Sequence, residues 1–256
     1  MASPILKIDV LTLFPGMFSG YFDESIMKRA REKRILDLSL HNLRDWAMDR
    51  HRKVDDTPYG GGAGMVMRAD VVHAAVESLR CEGSHVVLLS PQGTLLTQDV
   101  AKRLGRPGHL ILVSGHYEGL DERVRELVID EEISVGDFVI SNGTLAAMLL
   151  IDAVTRLLPG VVGDERSVSE DSFYHGILDY PHYTRPRVFR GHAVPDALLS
   201  GDHEVIRKWR RREALLRTLE RRPDLLARAE LSEEDRRLLK EIQTQRRTRN
   251  ENHRGS

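Results

Sequence analysis

The sequence predicts an α/β fold, a mostly parallel sheet covered by helices on both faces, with a smaller helical region after it. Two observations carry this prediction. Short apolar runs alternate with stretches of helical spacing through the first 160 residues, the pattern of repeated βα units. Three of these runs, His85–Gly93, His109–Gly119 and Ile133–Gly143, each break into a glycine-bearing loop. Buried strands that end this way leave free backbone N–H and C=O groups at one edge of a sheet, where open α/β sheets bind small ligands. One such loop is ordinary; three so close together mark a ligand cleft.

The elements follow in order. Ile5–Phe14 reads as a buried strand stopped by Pro15-Gly16, Met17–Lys33 has helical spacing, and Ile35–Leu43 alternates as a strand does. Residues 44–64 are polar and then glycine-rich; a loop that long in a compact domain is functional or mobile. Asp70–Leu79 reads as a helix with Asp70 as its N-cap. Strand 85–90, a helix around 98–104, strand 109–114, a helix around 120–128, strand 133–140 and a helix over 144–158, ended by Pro159-Gly160, complete the pattern. Residues 160–200 show no period and read as a linker or lid. Asp202 then opens a helix over Glu204–Arg221, Pro223 breaks it, and Ser232 with Asp235 three residues on forms a near-capping box for a last helix. The final ten residues are polar and expected to fray.

Composition narrows the function class. The chain has 256 residues, 41% hydrophobic and 30% charged, which excludes wholesale disorder and allows a real core. No apolar run approaches the roughly 20 residues that span a bilayer. The first seven residues, Met1-Ala-Ser-Pro-Ile-Leu-Lys, lack a signal peptide's apolar stretch, so a cytoplasmic location with no membrane association is expected. The single Cys81 reads as an inert thiol in a reducing compartment. The formal net charge of −1 hides a split, −8 over residues 1–184 and +7 over 185–256. That asymmetry points either to a polyanionic partner or, because Glu and Arg interleave, to a solvated helical surface.

The motifs exclude several chemistries. Tyr59-Gly-Gly-Gly-Ala-Gly-Met65 has no Gly-Lys-Ser/Thr after it and no strand before it, so it is neither a P-loop nor a dinucleotide fingerprint; it reads as a loop whose backbone approaches a ligand or partner closely. Eleven histidines are scattered without zinc-ligand spacing, so no metal site is assigned, and His51, His116 and His182 read as polar-surface or hydrogen-bonding residues. No nucleophile elbow is present. Proton transfer with electrostatic assistance remains. Glu170-Asp171 places two carboxylates in the linker, and Arg156 lies near a helix end, suited to hold an oxygen that gains charge. Asp179-Tyr-Pro-His-Tyr-Thr-Arg-Pro186 combines an acid, aromatic faces and a guanidinium, the equipment for cradling a nucleobase. Taken alone, Asp171 reads first as a turn or cap carboxylate.

Seven segments in order, Val54–Met65, Ser90–Gly93, Tyr117–Arg123, Ser134–Ile140, Glu170–Phe173, Pro181–Pro186 and Leu198–His203, resemble the bacterial tRNA (guanine-N1)-methyltransferase family TrmD, of the SPOUT class. The resemblance runs from about Ile8 to about Leu226. It implies a SPOUT fold, a parallel sheet with a deep trefoil knot, plus a smaller α-helical C-terminal domain. The implied division is a knotted S-adenosylmethionine-binding domain over 1–160, a flexible linker over 161–185 and a tRNA-binding domain over 186–256. The implied partners are tRNA and a second copy of the chain, each active site being shared between subunits. The implied reaction is methylation of N1 of the guanine just 3′ of the anticodon where another guanine precedes it. Magnesium is associated with activity in the family.

Carried onto this sequence, the resemblance makes Asp171 the general base and Arg156 its electrostatic partner. It assigns cofactor binding to Leu89, Ser90, Pro91 and Gln92; to Gly115, Tyr117, Glu118 and Gly119; and to Val135, Gly136, Asp137, Phe138, Val139, Ile140, Asn142, Gly143 and Ala146. Asp55, Pro58, Tyr59, Asp179 and Arg185 match substrate-binding positions. The sequence departs from the family at Ala63, where Pro is usual, at His116, where Arg is common, and over Ser141-Asn-Gly-Thr-Leu-Ala146, in place of Ser-Gly-Gly-Glu-Leu-Pro. Asn142 tolerates left-handed backbone, so that loop is expected to survive. Two alternatives stand beside this reading: a non-catalytic RNA-binding protein, opposed by the presence of both Asp171 and Arg156, and a SPOUT methyltransferase acting on rRNA.

Overall fold

The computed structural model describes residues 5–106, 108–163 and 168–254, with side chains as far as Arg246. The chain divides into two compact units, Met1–Glu165 and Arg166–Ser256. The first contains β1 (Leu6–Thr12), α1 (Ser25–Glu32), β2 (Leu36–Asn42), β3 (Asp55–Asp56), β4 (Val66–Met67), α2 (Ala69–Leu79), β5 (Ser84–Leu95), α3 (Gln98–Leu104), β6 (His109–Ser114), α4 (Glu122–Val128), β7 (Glu131–Ser134) and α5 (Gly143–Thr155). Five strands form one sheet in the order β2-β1-β6-β5-β7, every neighbouring pair parallel.

The predicted two-sided burial is present. All six residues of β6 are buried. Leu110 and Leu112 join a core with Met27 of α1, Leu104 of α3 and Leu150 of α5. Ile111 and Val113 join a second core with Val72 and Val76 of α2 and Val124 of α4. Strands buried on both faces read as unbroken apolar runs, and this is why His109–Ser114 was legible. Midway along β1, Asp9, 1% exposed, accepts hydrogen bonds from Lys7 Nζ at 2.9 Å, His41 Nε2 at 2.6 Å and His109 Nε2 at 2.7 Å.

Several elements differ from expectation. Met17–Lys33 is not one helix: two short 3₁₀ turns, Pro15–Phe18 and Tyr21–Asp23, precede α1, and Gly20 at φ +89° separates them. Residues 44–64 are not all loop. A 3₁₀ turn covers Leu43–Trp46, and Asp55–Asp56 pairs antiparallel with Val66–Met67, so the glycine run is the tip of a hairpin. Asp70 does not cap α2: the helix begins at Ala69 with Arg68 at the cap position, and Asp70 sits in the first turn, its carboxylate accepting Arg68 Nε at 3.1 Å and Nη2 at 2.6 Å. β5 continues past Ser90 to Leu95, and β7 stops at Ser134, where Gly136 at φ +153° turns the chain.

The second unit holds a hairpin of β8 (Val188–Phe189) and β9 (His192–Ala193), then α6 (Asp196–Leu199), α7 (His203–Arg221), α8 (Pro223–Leu226) and α9 (Glu233–Arg254). Ile177 packs with Ala214 and Leu215 of α7 and Ile242 of α9. Asp202 caps α7, accepting from the amides of Glu204 at 2.8 Å and Val205 at 3.2 Å. The capping box at α9 is reciprocal: Asp235 N donates to Ser232 Oγ at 3.1 Å and Ser232 N to Asp235 Oδ2 at 2.9 Å.

Candidate active site

Every strand of the main sheet runs the same way, so the ends of β5, β6 and β7 share one edge. β5 lies between β6 and β7, and the chain therefore steps to one side of β5 and then to the other. A crevice opens at such a reversal in open α/β sheets. Here the crevice is a cavity of about 340 Å³ walled by the three glycine loops.

Close backbone approaches shape each wall. β5 pairs with β7 on both sides of the Ser90–Gly93 bulge, with Leu89 and Thr94 both facing Ile133. A Cβ on Gly93 would lie 2.4 Å from the backbone carbon of Glu132, so only glycine lets the strand resume there. The 135–142 loop returns across the edge, and Gly143 N donates to Gly115 O at 2.8 Å. Asn142 has extended backbone, φ −166°, and caps α5 by accepting Thr144 N at 2.9 Å. The loop is thus kept by capping chemistry, and the expected left-handed geometry is not used. Thr144, fully buried, lies 3.2 Å from Thr12 Oγ1 and 3.3 Å from Ser114 Oγ, tying α5 to the ends of β1 and β6.

Of the seventeen residues assigned to the cofactor, sixteen line this cavity; Asp137 does not. Sequence reasoning missed His116 and Arg125, which also line it. His116 is 5% exposed and its Nδ1 lies 3.0 Å from Ser114 O, so of its two expected places, polar surface or hydrogen-bonding, it takes the second. Burial pushes its imidazole below the usual histidine range, and the Arg44 cation adds to the effect, while the bond to Ser114 O opposes both. Arg125 Nη1 donates to Gln92 Oε1 at 2.8 Å, bracing the first loop. His116 stood inside the His109–Gly119 loop already read as a cleft wall, whereas Arg125 stood in a helix with no site signal.

The substrate-binding assignments fall in two places. Asp55 lies in β3, and Pro58 and Tyr59 lie toward the hairpin tip, with Tyr59 99% exposed. That hairpin docks on the cavity's second loop: Glu118 N donates to Met65 O at 3.0 Å and Met67 N to Gly119 O at 2.9 Å. Arg156 caps the C-terminus of α5, its N–H reaching Asp152 O. In the second unit, Asp171 and Asp179 line one cavity with His175 and Arg210, and Arg185 lines another. Asp179 is fixed on three sides. Its amide donates to Ser172 Oγ at 2.9 Å, and its carboxylate accepts from Tyr180 N at 2.7 Å and His182 Nε2 at 2.6 Å.

The family description tRNA (Guanine-1)-methyltransferase TrmD matches residues 6–228, across both units. The chain belongs to the TrmD family. A tRNA (guanine-N(1)-)-methyltransferase of Desulforamulus reducens is 52% identical over 242 residues, 93% of this chain and 95% of the relative. Proteins of the same name from Pelotomaculum thermopropionicum and Moorella thermoacetica are each 56% identical over 241 residues, 93% of this chain and 96% of theirs. Among the described residues no helix is long and apolar enough to cross a membrane.

Proposed function

We propose that the protein methylates N1 of the guanine immediately 3′ of the anticodon in tRNA, where a guanine precedes it, with S-adenosylmethionine as methyl donor. Family membership makes the chain an enzyme of the tRNA guanine-N1-methyltransferase type, and the match over residues 6–228 carries the reading. The cavity suits the cofactor. Its 340 Å³ lies in the range of small-molecule sites, and its glycine loops offer backbone donors and acceptors at close approach. Bound there, S-adenosylmethionine supplies an electrophilic methyl group.

The chain's own residues divide the remaining work. Guanine N1 carries a proton that must leave as the new bond forms, and Asp171 accepts it as general base. Arg156 stabilises the negative charge that grows on O6. Asp55, Pro58 and Tyr59 on the hairpin, with Asp179 and Arg185, hold the RNA. The deep trefoil knot, the linker over 161–185, the tRNA-binding domain over 186–256, the homodimer with shared sites and a cytoplasmic location belong to the same reading. Among the described residues no three His, Cys, Asp or Glu side chains converge to hold a metal.

The test uses methyl-labelled S-adenosylmethionine with unmodified tRNA transcripts carrying guanine or adenine 3′ of the anticodon. Label is expected only in the guanine transcript, with more when a guanine precedes it. Transfer to neither transcript sinks the reading. Undiminished transfer by Asp171→Asn removes Asp171 from the role of base.

A further inference from the structure

His116 carries a buried hydrogen-bonding atom without a partner. Its Nδ1 faces the carbonyl oxygen of Ser114 at 3.0 Å. A carbonyl only accepts, so Nδ1 holds the ring proton and donates it. In the neutral ring Nε2 is then an acceptor lone pair. That atom is shielded from water and has no hydrogen-bond partner among the described residues. Leaving a buried polar atom unsatisfied is costly, and in native proteins such atoms call for an explanation.

The position supplies one. His116 sits between Gly115 and Tyr117 on the wall of the cavity at the strand ends. Two rings flank it, Phe14 with its centroid 5.2 Å away and Tyr117 at 6.5 Å, and each is about half exposed. Tyr117 lines the same cavity; Phe14 does not. The charged groups around it are Arg44, whose cation disfavours a second positive charge on the ring, and Glu118 and Arg125 on the cavity wall. Arg44 donates elsewhere, to Arg52 O at 3.4 Å.

We propose that His116 determines ligand specificity in this cavity, its Nε2 accepting a hydrogen bond from an N–H or O–H of a purine nucleoside bound there. The inference rests on the reading of the cavity as the S-adenosylmethionine site. The purine has two sources with the same donor chemistry, the adenosine of the cofactor and the guanosine of the RNA. A neutral acceptor at this point rejects groups that offer only lone pairs, such as a carboxylate or phosphate.

The experiment compares the full-length wild type with His116→Leu, which removes the acceptor, and His116→Gln, whose amide oxygen reaches the place of Nε2. Calorimetry gives the Kd for S-adenosylhomocysteine, and steady-state kinetics give the KM for a guanine-bearing tRNA transcript. If the donor is the cofactor's, His116→Leu raises Kd about tenfold and leaves KM alone; if it is the RNA's, KM rises about tenfold and Kd is unchanged. His116→Gln restores the affected constant to within about threefold of wild type. As pH falls below the usual histidine range that constant weakens for wild type, as Nε2 takes up a proton and ceases to accept, and stays flat for His116→Gln. Both constants within about twofold of wild type in His116→Leu overturn the inference, as does a Gln variant as impaired as Leu. A wild type that binds no S-adenosylhomocysteine overturns the reading of the cavity and the inference with it.

Discussion

Gly143 donates its amide to the carbonyl of Gly115 across 2.8 Å, bringing the first turn of α5 against the end of β6. A Cβ on Gly143 would lie 2.9 Å from Gly115 N and 3.2 Å from Ser114 Cα, both backbone atoms that cannot swing aside. Gly143→Ala is therefore expected to push the third loop off the second. Overpacking of this kind costs about 1–3 kcal/mol, which is roughly tenfold to a hundredfold in affinity if it falls on the bound geometry. Calorimetry with S-adenosylhomocysteine checks it; an unchanged Kd contradicts the tight approach.

Arg156→Ala is expected to lower kcat by about 10²–10³, the scale for loss of one group that stabilises developing charge. The cofactor Kd is expected to hold, since Arg156 does not line that cavity. Single-turnover methylation beside calorimetry separates the two. Equal losses in both would assign Arg156 to binding.

Arg211 grips Asp235 with Nε at 2.6 Å and Nη2 at 2.8 Å, and holds its carboxyl down to about 2 against the opposing effect of burial. A carboxyl depressed on folding adds stability above its unfolded pKa of about 3.9 and loses it as pH falls toward the folded value. Asp235→Asn is expected to cost about 2 kcal/mol at neutral pH, with the gap to wild type closing below about pH 4. Urea unfolding followed by Trp209 fluorescence in a Trp46→Phe background reads it. A gap of the same size at every pH would contradict the linkage.

Asp9, midway along β1 inside the sheet, makes a second test. Burial raises its carboxyl, but hydrogen bonds from His41, Lys7 and His109 outweigh burial and hold it below the usual range. Asp9→Ala leaves three donors around an apolar side chain, and breaking a buried pair from one side costs about 3–5 kcal/mol. The expected outcome is a large drop in the urea midpoint of the first unit. A drop confined to a few tenths of a kcal/mol would mean that solvent reaches Asp9.

The legible parts of the fold were those where local chemistry and burial agree. His109–Ser114 is apolar from Leu110 to Val113 and appears as β6, and Gln98–Leu104 appears as α3 behind a Thr97 cap. The Ser232–Asp235 pair names its own helix start, because both halves of the box are side-chain chemistry. Long-range contacts were not legible. Nothing within Ser90–Leu95 says that its end pairs again with β7, since that depends on Ile133 and Ser134, far along the chain. Asp70 looked like a cap, but α2 starts one residue before it, at Ala69, where Arg68 holds the cap position. The cavity was readable as three glycine loops, but His116 was not, because burial of a histidine is decided by what packs around it.

β5 is registered against β7 at Leu89 and again at Thr94, with Ser90–Gly93 looped out between. The two registrations act as a clasp on either side of whatever fills the bulge. Opening the clasp frays the edge of the sheet, so a molecule that grips Ser90–Gln92 also holds that edge shut. Its binding energy then appears in a remote reporter: the amides of Thr94 and Leu95 should trade hydrogen for deuterium more slowly as the site fills, by the same factor that saturation adds to the free energy of local opening.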